Sequence, residues 1–291
     1  MLVNMKQTLA HAEQHHYALG CINTPTVETI RRVIAAAEEL NVPVIIDHAE
    51  SHDSIVPIEV IGPQMVAHAK AAQVPVCVHL DHGTSYSFLM RAIRVGFSSI
   101  MYDCSALPFE ENVKRVKDFT KIAHDLDITV EAELGVMASA GEDSHGGKAL
   151  TNAEIRKYFT DPQQAGEFAH ATGVDALAVC FGTMHGIYAE EPVLDLERVK
   201  AIRAAMPADC RIVMHGGSGV APKMQQAGIA AGCSKINYYS YMAKATTEHV
   251  QAKIAETNGT IPFHELSEDA CHFIQSYAKD VLTVFKNGYQ A

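Results

Sequence analysis

The sequence predicts a single α/β domain over residues 1–291, a (β/α)8 TIM barrel with closing helices at its C-terminal end. Three observations predict it. Eight short runs rich in Val and Ile alternate with amphipathic stretches of helical period, the order expected of parallel strands joined by crossover helices. The length of 291 residues suits one such barrel, a fold that runs from roughly 200 residues upward. No Pro/Gly/Ser-rich linker, fixed-period repeat or low-complexity tract divides the chain.

The predicted strands occupy residues 18–23, 42–46, 74–79, 98–102, 128–131, 176–180, 211–214 and 235–238. Each is a compact run of strand length, too short for a helix of ordinary size. Helical patterns lie between them at 27–40, 57–72, 109–126, 161–172, 195–205 and 222–231. Thr26 stands ahead of the first helix as its N-cap, with Thr29 where a capping box usually has Glu. Asp161-Pro162 supplies a cap followed by proline at the first helical position, and Gly173 and Gly232 stop two helices just before the sixth and eighth strands. Residues 135–152 form one long connection containing Gly141, Gly146 and Gly147. A connection of that length reads as a mobile lid, with a plain surface excursion as the alternative. Beyond the eighth strand, residues 241–286 read as two closing helices.

Composition excludes several classes of function. The formal charge of -11 disfavours non-specific affinity for nucleic acid or anionic lipid, which needs a surplus of Lys and Arg. No apolar run reaches the length of a membrane span, and residues 1–10 lack the basic-then-apolar order of a secretory signal. The expectation is a cytoplasmic protein with a small-molecule partner, assembled as a homo-oligomer, a dimer or a tetramer. The seven cysteines contain no C-x-x-C pair and are odd in number, so they read as reduced.

In a barrel of this kind chemistry is carried at the C-terminal ends of the strands. Most of the 16 histidines fall in helical stretches, but His82 follows the third strand, His185 the sixth, and His215 ends the seventh. Each is followed by glycine, in His82-Gly83, His185-Gly186 and His215-Gly216. Three imidazoles from separate strands converging on one mouth match a catalytic Zn²⁺ site, one ion per chain, with positions left open for substrate. Asp81 adjoins the first of them, placed either as a general base or as a group that orients a ligand. Glu133, at the end of the fifth strand, suits either a transient metal contact or a hydrogen bond to a histidine. Gly216, Gly217 and Ser218 after the seventh strand, with Asn237 and Ser240 after the eighth, lie where barrel enzymes commonly hold phosphate. Asn23 and Gly186 complete the candidate substrate-binding set, and a monovalent cation is kept as an additional candidate cofactor.

These stretches resemble the class II fructose/tagatose-bisphosphate aldolase family, from about residue 18 to the region after Asn237. The resemblance is carried by His79-Leu80-Asp81-His82-Gly83, Tyr102-Asp103-Cys104-Ser105, Leu107-Pro108-Phe109-Glu110-Glu111-Asn112, Val130-Glu131-Ala132-Glu133-Leu134-Gly135, Thr160-Asp161-Pro162, Gly182-Thr183-Met184-His185-Gly186 and His215-Gly216-Gly217-Ser218-Gly219. It implies reversible retro-aldol cleavage of a ketose, in which Zn²⁺ on His82, His185 and His215 polarises the ketone and Asp81 takes the proton of the C4 hydroxyl. The C3–C4 bond then breaks, and a carboxylate on the long loop, matched here by Glu142, handles the proton of the resulting enediolate.

The chain departs from the family pattern at three places. Where the family carries a lysine after the Gly-x-Tyr that follows the second ligand, Gly186-Ile187-Tyr188 leads into Ala189-Glu190-Glu191. The second phosphate element reads Asn237-Tyr238-Tyr239-Ser240-Tyr241, and the second strand is followed by Asp47-His48-Ala49-Glu50-Ser51-His52-Asp53 rather than a small hydroxyl residue and glycine. This last cluster reads as hydrogen bonding to substrate hydroxyls or simple solvation, with a second metal site as the alternative. The expectation is an altered phosphate pocket, with little activity on either bisphosphate and preference for a ketose unphosphorylated or differently substituted at C1. Two other functions share the motifs: metal-dependent epimerisation or isomerisation of a ketose, and a non-catalytic barrel that binds a sugar phosphate.

Overall fold

The computed structural model describes residues 1–135, 139–140 and 150–290. In chain order its strands are β1 (Leu2–Val3), β2 (Leu19–Asn23), β3 (Val44–Ala49), β4 (Val76–Gly83), β5 (Ser99–Tyr102), β6 (Thr129–Leu134), β7 (Ser139–Ala140), β8 (Ala176–Val179), β9 (His185–Gly186), β10 (Arg211–Met214) and β11 (Cys233–Tyr238). The helices are α1 (Met5–Gln14), α2 (Val27–Leu40), α3 (Ile58–Ala71), α4 (Tyr86–Val95), α5 (Phe109–Asp125), α6 (Asn152–Ile155), α7 (Pro162–Thr172), α8 (Leu196–Ala205), α9 (Pro222–Ala231), α10 (Ser240–Glu256) and α11 (Phe263–Lys286). Eight strands pair in parallel in the order β2-β3-β4-β5-β6-β8-β10-β11, and the circuit closes where β11 meets β2. This is the predicted TIM barrel. The eight predicted strands correspond to these eight.

The caps behave as their chemistry requires. Thr26 and Thr29 form a reciprocal capping box, and Asp161 accepts from the N–H groups of Gln163 and Gln164. The helices bury their apolar stripes against the outer face of the barrel: Ile30, Val33, Ile34 and Ala37 of α2 all join the main core. Each large aliphatic side chain so buried contributes about 1.5–3 kcal/mol of transfer free energy. The predicted closing pair is α10 and α11, and α11 lies against α2 and β2.

Three helices go beyond the sequence reading: the short α6, α1 and α4. The α1 helix closes the bottom of the barrel, its Met5, Leu9 and Ala12 packed with Leu19, Ile45, Cys77, Ala176, Ala178 and Val213 from the strands. Helix α4 follows β4 directly, with Ser85 as its N-cap and Gly96, at φ 98°, as its C-cap. The β3 strand also runs on to Ala49, so Asp47 and His48 belong to the strand rather than to the loop after it. All seven cysteines are free and buried, and among the described residues no helix is long and apolar enough to cross a membrane.

Candidate active site and metal centre

The C-terminal mouth of the barrel opens into a cavity of about 400 Å³, lined among others by Asn23, Asp81, His82, Glu133, His185 and Asn237. In a regular strand two successive side chains face opposite sides, yet Asp81 and His82 both line this cavity. The reason is local. The β4–β5 register shifts between Leu80 and Gly83, and His82 takes a left-handed backbone with φ 45°. Such a bulge re-aims one side chain, and a strained non-glycine residue of this kind is a feature of functional sites.

His82 Nε2 lies 3.3 Å from His185 Nε2, and the His215 ring centroid is 4.8 Å from that of His82 and 5.4 Å from that of His185. One nitrogen from each of the three rings falls within 4.8 Å of the others. The loops that bring His185 and His215 together touch: Gly216, at φ 63°, approaches the Met184 carbonyl so closely that a Cβ there would lie 2.1 Å from its oxygen. A side chain at 216 would force the two loops apart.

Carboxylates set the ring orientations. Asp103 Oδ2 bonds His82 Nδ1 at 2.7 Å, which leaves Nε2 turned to the other rings. Glu131 Oε1 bonds His215 Nε2 at 2.9 Å, and the opposite nitrogen, Nδ1, lies 3.2 Å from Glu133 Oε2. Carboxylate-backed imidazoles presenting their remaining nitrogens to one point are the arrangement of a divalent-metal site.

The electrostatics below this point are unusual for a barrel interior, which ordinarily holds branched aliphatic side chains. Asp47, His79, Asp81, Glu131 and Lys235 are all buried there. Burial opposes charge on Asp81, but the neighbouring His82, His215 and Lys235 outweigh it and hold the carboxylate ionised. Burial likewise opposes charge on His82, and Asp81 together with the Asp103 hydrogen bond raises that imidazole to about 10. Burial, reinforced by His82 and His215, pushes His185 well below the ordinary histidine range, so its ring offers a lone pair. The Glu131 carboxylate is held at about 2 by Lys235 and His215 against its burial.

The candidate residues read from the sequence are for the most part brought together. Asn23, Asp81, His82, Glu133, His185, Gly186, Gly216, Ser218, Asn237 and Ser240 all line the cavity, and His215 lies against its wall with no exposed surface. Gly217 is not at the surface of the cavity. Its N–H donates to the Asn237 carbonyl at 3.0 Å and its own carbonyl accepts from Gln225, so its role is to join two loops. Glu142 lies outside the described residues. Glu190 and Glu191 do not face the cavity either: Glu190 accepts from the Asn152 N–H at the start of α6 at 2.6 Å, a favourable place for an acid. The residues 47–53 are dispersed, with Asp47 inside the barrel accepting from Cys21, Glu50 bonded to Thr84 and Ser85, and Asp53 paired with Arg91. None of them belongs to a metal-competent group among the described residues.

Three residues of this cluster escape a reading by strand ends. Asp103 and Glu131 sit in motifs already quoted, but only their hydrogen bonds reveal what they hold. Lys235 reads as one residue of an apolar strand. Its inward direction could have been inferred from alternation with Asn237.

The chain matches the family model for fructose-bisphosphate aldolase class-II over residues 3–289. It belongs to the class II aldolase family. Among solved structures it is similar to the YdjI aldolase from Escherichia coli K12, with 33% identity, a TM-score of 0.86 and 100% of each chain covered. A putative fructose-1,6-biphosphate aldolase from Coccidioides immitis is 25% identical with a TM-score of 0.84, covering 97% of this chain and 96% of that one. The fructose-bisphosphate aldolase from Campylobacter jejuni, 19% identical with a TM-score of 0.78 and covering 100% and 97% of the two chains, shares the fold.

Proposed function

We propose that the protein is a zinc-dependent aldolase that reversibly cleaves a polyhydroxylated ketose carrying at most one phosphate. The observation that carries the reading is the convergence of His82, His185 and His215 within 4.8 Å, in the same cavity as the ionised carboxylate of Asp81. The donor set fits a borderline-soft cation: three imidazole nitrogens, with His82 and His215 backed by the carboxylates of Asp103 and Glu131. Bound there, Zn²⁺ would supply Lewis-acid polarisation of the substrate ketone.

The chain's own groups carry the proton. Asp81 Oδ1 accepts from Asn237 Nδ2 at 3.2 Å, which fixes one carboxylate oxygen and leaves the other for substrate. Asp81 takes the C4 hydroxyl proton, the C4–O pair becomes the carbonyl of the released aldehyde, and the C3–C4 bond breaks. Its electron pair stays on C3, conjugated with the C2 carbonyl, until C3 is protonated. Glu142 is the proposed acid for that last step. Because Asp81 is already ionised at neutral pH, no energy is spent deprotonating it before it acts.

The limit of one phosphate follows from the lining. Gly216 and Ser218 with Ser240, the first residue of the 17-residue helix α10, offer hydroxyls and unpaired helix N–H groups suited to an anion. The lining also includes Asn23, Glu50, Ser51, His52, Thr84 and Ser105, groups that match hydroxyls. No lysine or arginine lines the cavity among the described residues. A cleavage screen over ketoses, ketose monophosphates and bisphosphates, run on the zinc-loaded protein and on Asp81→Asn, tests the reading. Cleavage of a monophosphate or free ketose that Asp81→Asn abolishes is the expected result. Wild-type turnover by Asp81→Asn would remove the assignment of the base.

A further inference from the structure

We propose that Lys235 is a positioning residue for the reaction, whose buried ammonium holds the ligand His215 and the base Asp81 in one hydrogen-bonded frame. The inference rests on the roles given above to His215 and Asp81. Lys235 has no exposed surface, and its Nζ lies 2.8 Å from Glu131 Oε2, 3.0 Å from Glu131 Oε1 and 2.8 Å from Asn237 Oδ1.

The donor-only character of an ammonium makes this frame directional. Because Lys235 can only donate, Asn237 must turn its amide oxygen toward it, and the amide nitrogen is then left facing Asp81 Oδ1 at 3.2 Å. Asn237 is thereby fixed as a donor to the base. On the other arm Lys235 donates to both oxygens of Glu131, and a carboxylate can only accept. His215 Nε2, 2.9 Å from Glu131 Oε1, is then the donor to that carboxylate, and Nδ1 is the nitrogen turned to Glu133 Oε2 at 3.2 Å. One cation orients the hydrogen-bond donors on both sides of the site.

The same position also excludes a competing occupant. His79, Asp81 and Glu131 form a second metal-competent group by distance, but the ammonium already lies against Glu131 and supplies the charge an ion would bring. A pair buried this deeply is weak as a source of stability, since apolar residues of similar volume often do as well. Its value lies in the directions it imposes.

The test uses Lys235→Met and the double variant Glu131→Gln/Lys235→Met, both produced as full chains. Zinc release to a chromophoric chelator, thermal unfolding of the zinc-free proteins, and kcat and KM of the loaded enzymes are measured. Lys235→Met should melt lower without zinc, because it leaves Glu131 buried without its cation. The double variant should recover the melting temperature yet hold zinc about 10- to 100-fold more weakly, with the loss of activity in kcat rather than KM. A double variant with wild-type zinc affinity and kcat would overturn the proposal. A measurement on the unaltered zinc-free protein holds whether or not the variants fold: imidazole nitrogen-15 spectra, with His215 assigned by His215→Gln. Nε2 must carry a proton toward Glu131, and a bare Nε2 would overturn the proposal. Zinc binding by the unaltered protein tests the earlier reading separately, because the proton is read without metal.

Discussion

Tyr188 donates its hydroxyl to the Gly216 carbonyl at 2.7 Å and accepts from the Met184 N–H at 2.9 Å, so a single phenol ties together the loops that carry His185 and His215. Neither histidine is on a regular barrel strand by itself able to fix the distance between them. The phenol and the close approach of Gly216 to Met184 do so.

Tyr188→Phe should therefore fold but lose about 1–3 kcal/mol, the cost of leaving the Met184 N–H and the Gly216 carbonyl without this partner. Zinc should also be released more readily, because the two loops gain freedom relative to each other. Denaturant unfolding and chelator competition on the same preparation check both. Unchanged values in both would show that the packing of Gly216 on Met184 suffices.

A pH dependence follows from Asp47. Burial and the adjacent charge of Asp81 raise its carboxyl well above the ordinary 3.8. An acid raised in the folded state leaves stability intact below its unfolded value, and stability is lost as pH rises above about 3.8 toward the folded value, because the unfolded chain releases the proton first. Asp47→Asn removes that slope. Its melting temperature relative to the unaltered protein should improve between pH 5 and pH 8, and a difference that stays constant or shrinks across that interval would contradict the argument.

Much of this arrangement was legible in the sequence, and the illegible parts have physical reasons. The eight strands announce themselves because each is buried on both faces and so is a continuous apolar run. His82, His185 and His215 stand out because each falls at a strand end beside glycine. Helix α1 was missed because its buried face is only Met5, Leu9 and Ala12, set among Lys, Gln and His residues that mask the period. Lys235 was missed because a charged residue inside a strand has no local signal of its partner, which comes from Glu131 more than 100 residues away in sequence. Glu190 stands in sequence where the family carries a lysine, but its carboxylate accepts from the Asn152 N–H.

The substrate limit gives a kinetic prediction. Fructose 1,6-bisphosphate and tagatose 1,6-bisphosphate should be poor substrates, since a second phosphate would lack a charge-assisted hydrogen bond worth about 1.5–3 kcal/mol. Steady-state kinetics decide the matter. A kcat/KM of ~10⁴ M⁻¹s⁻¹ or more on either compound, the ordinary range for an enzyme on its own substrate, would show that the cavity accepts two phosphates.

The most direct test of the whole account is the metal content of purified protein, measured for the unaltered chain and for His185→Ala and His215→Ala after dialysis against a weak chelator. The account predicts about one zinc ion per chain in the unaltered protein and loss of that ion in each variant, with the variants still folded. A full complement of zinc in either variant, or none in the unaltered protein, would contradict it.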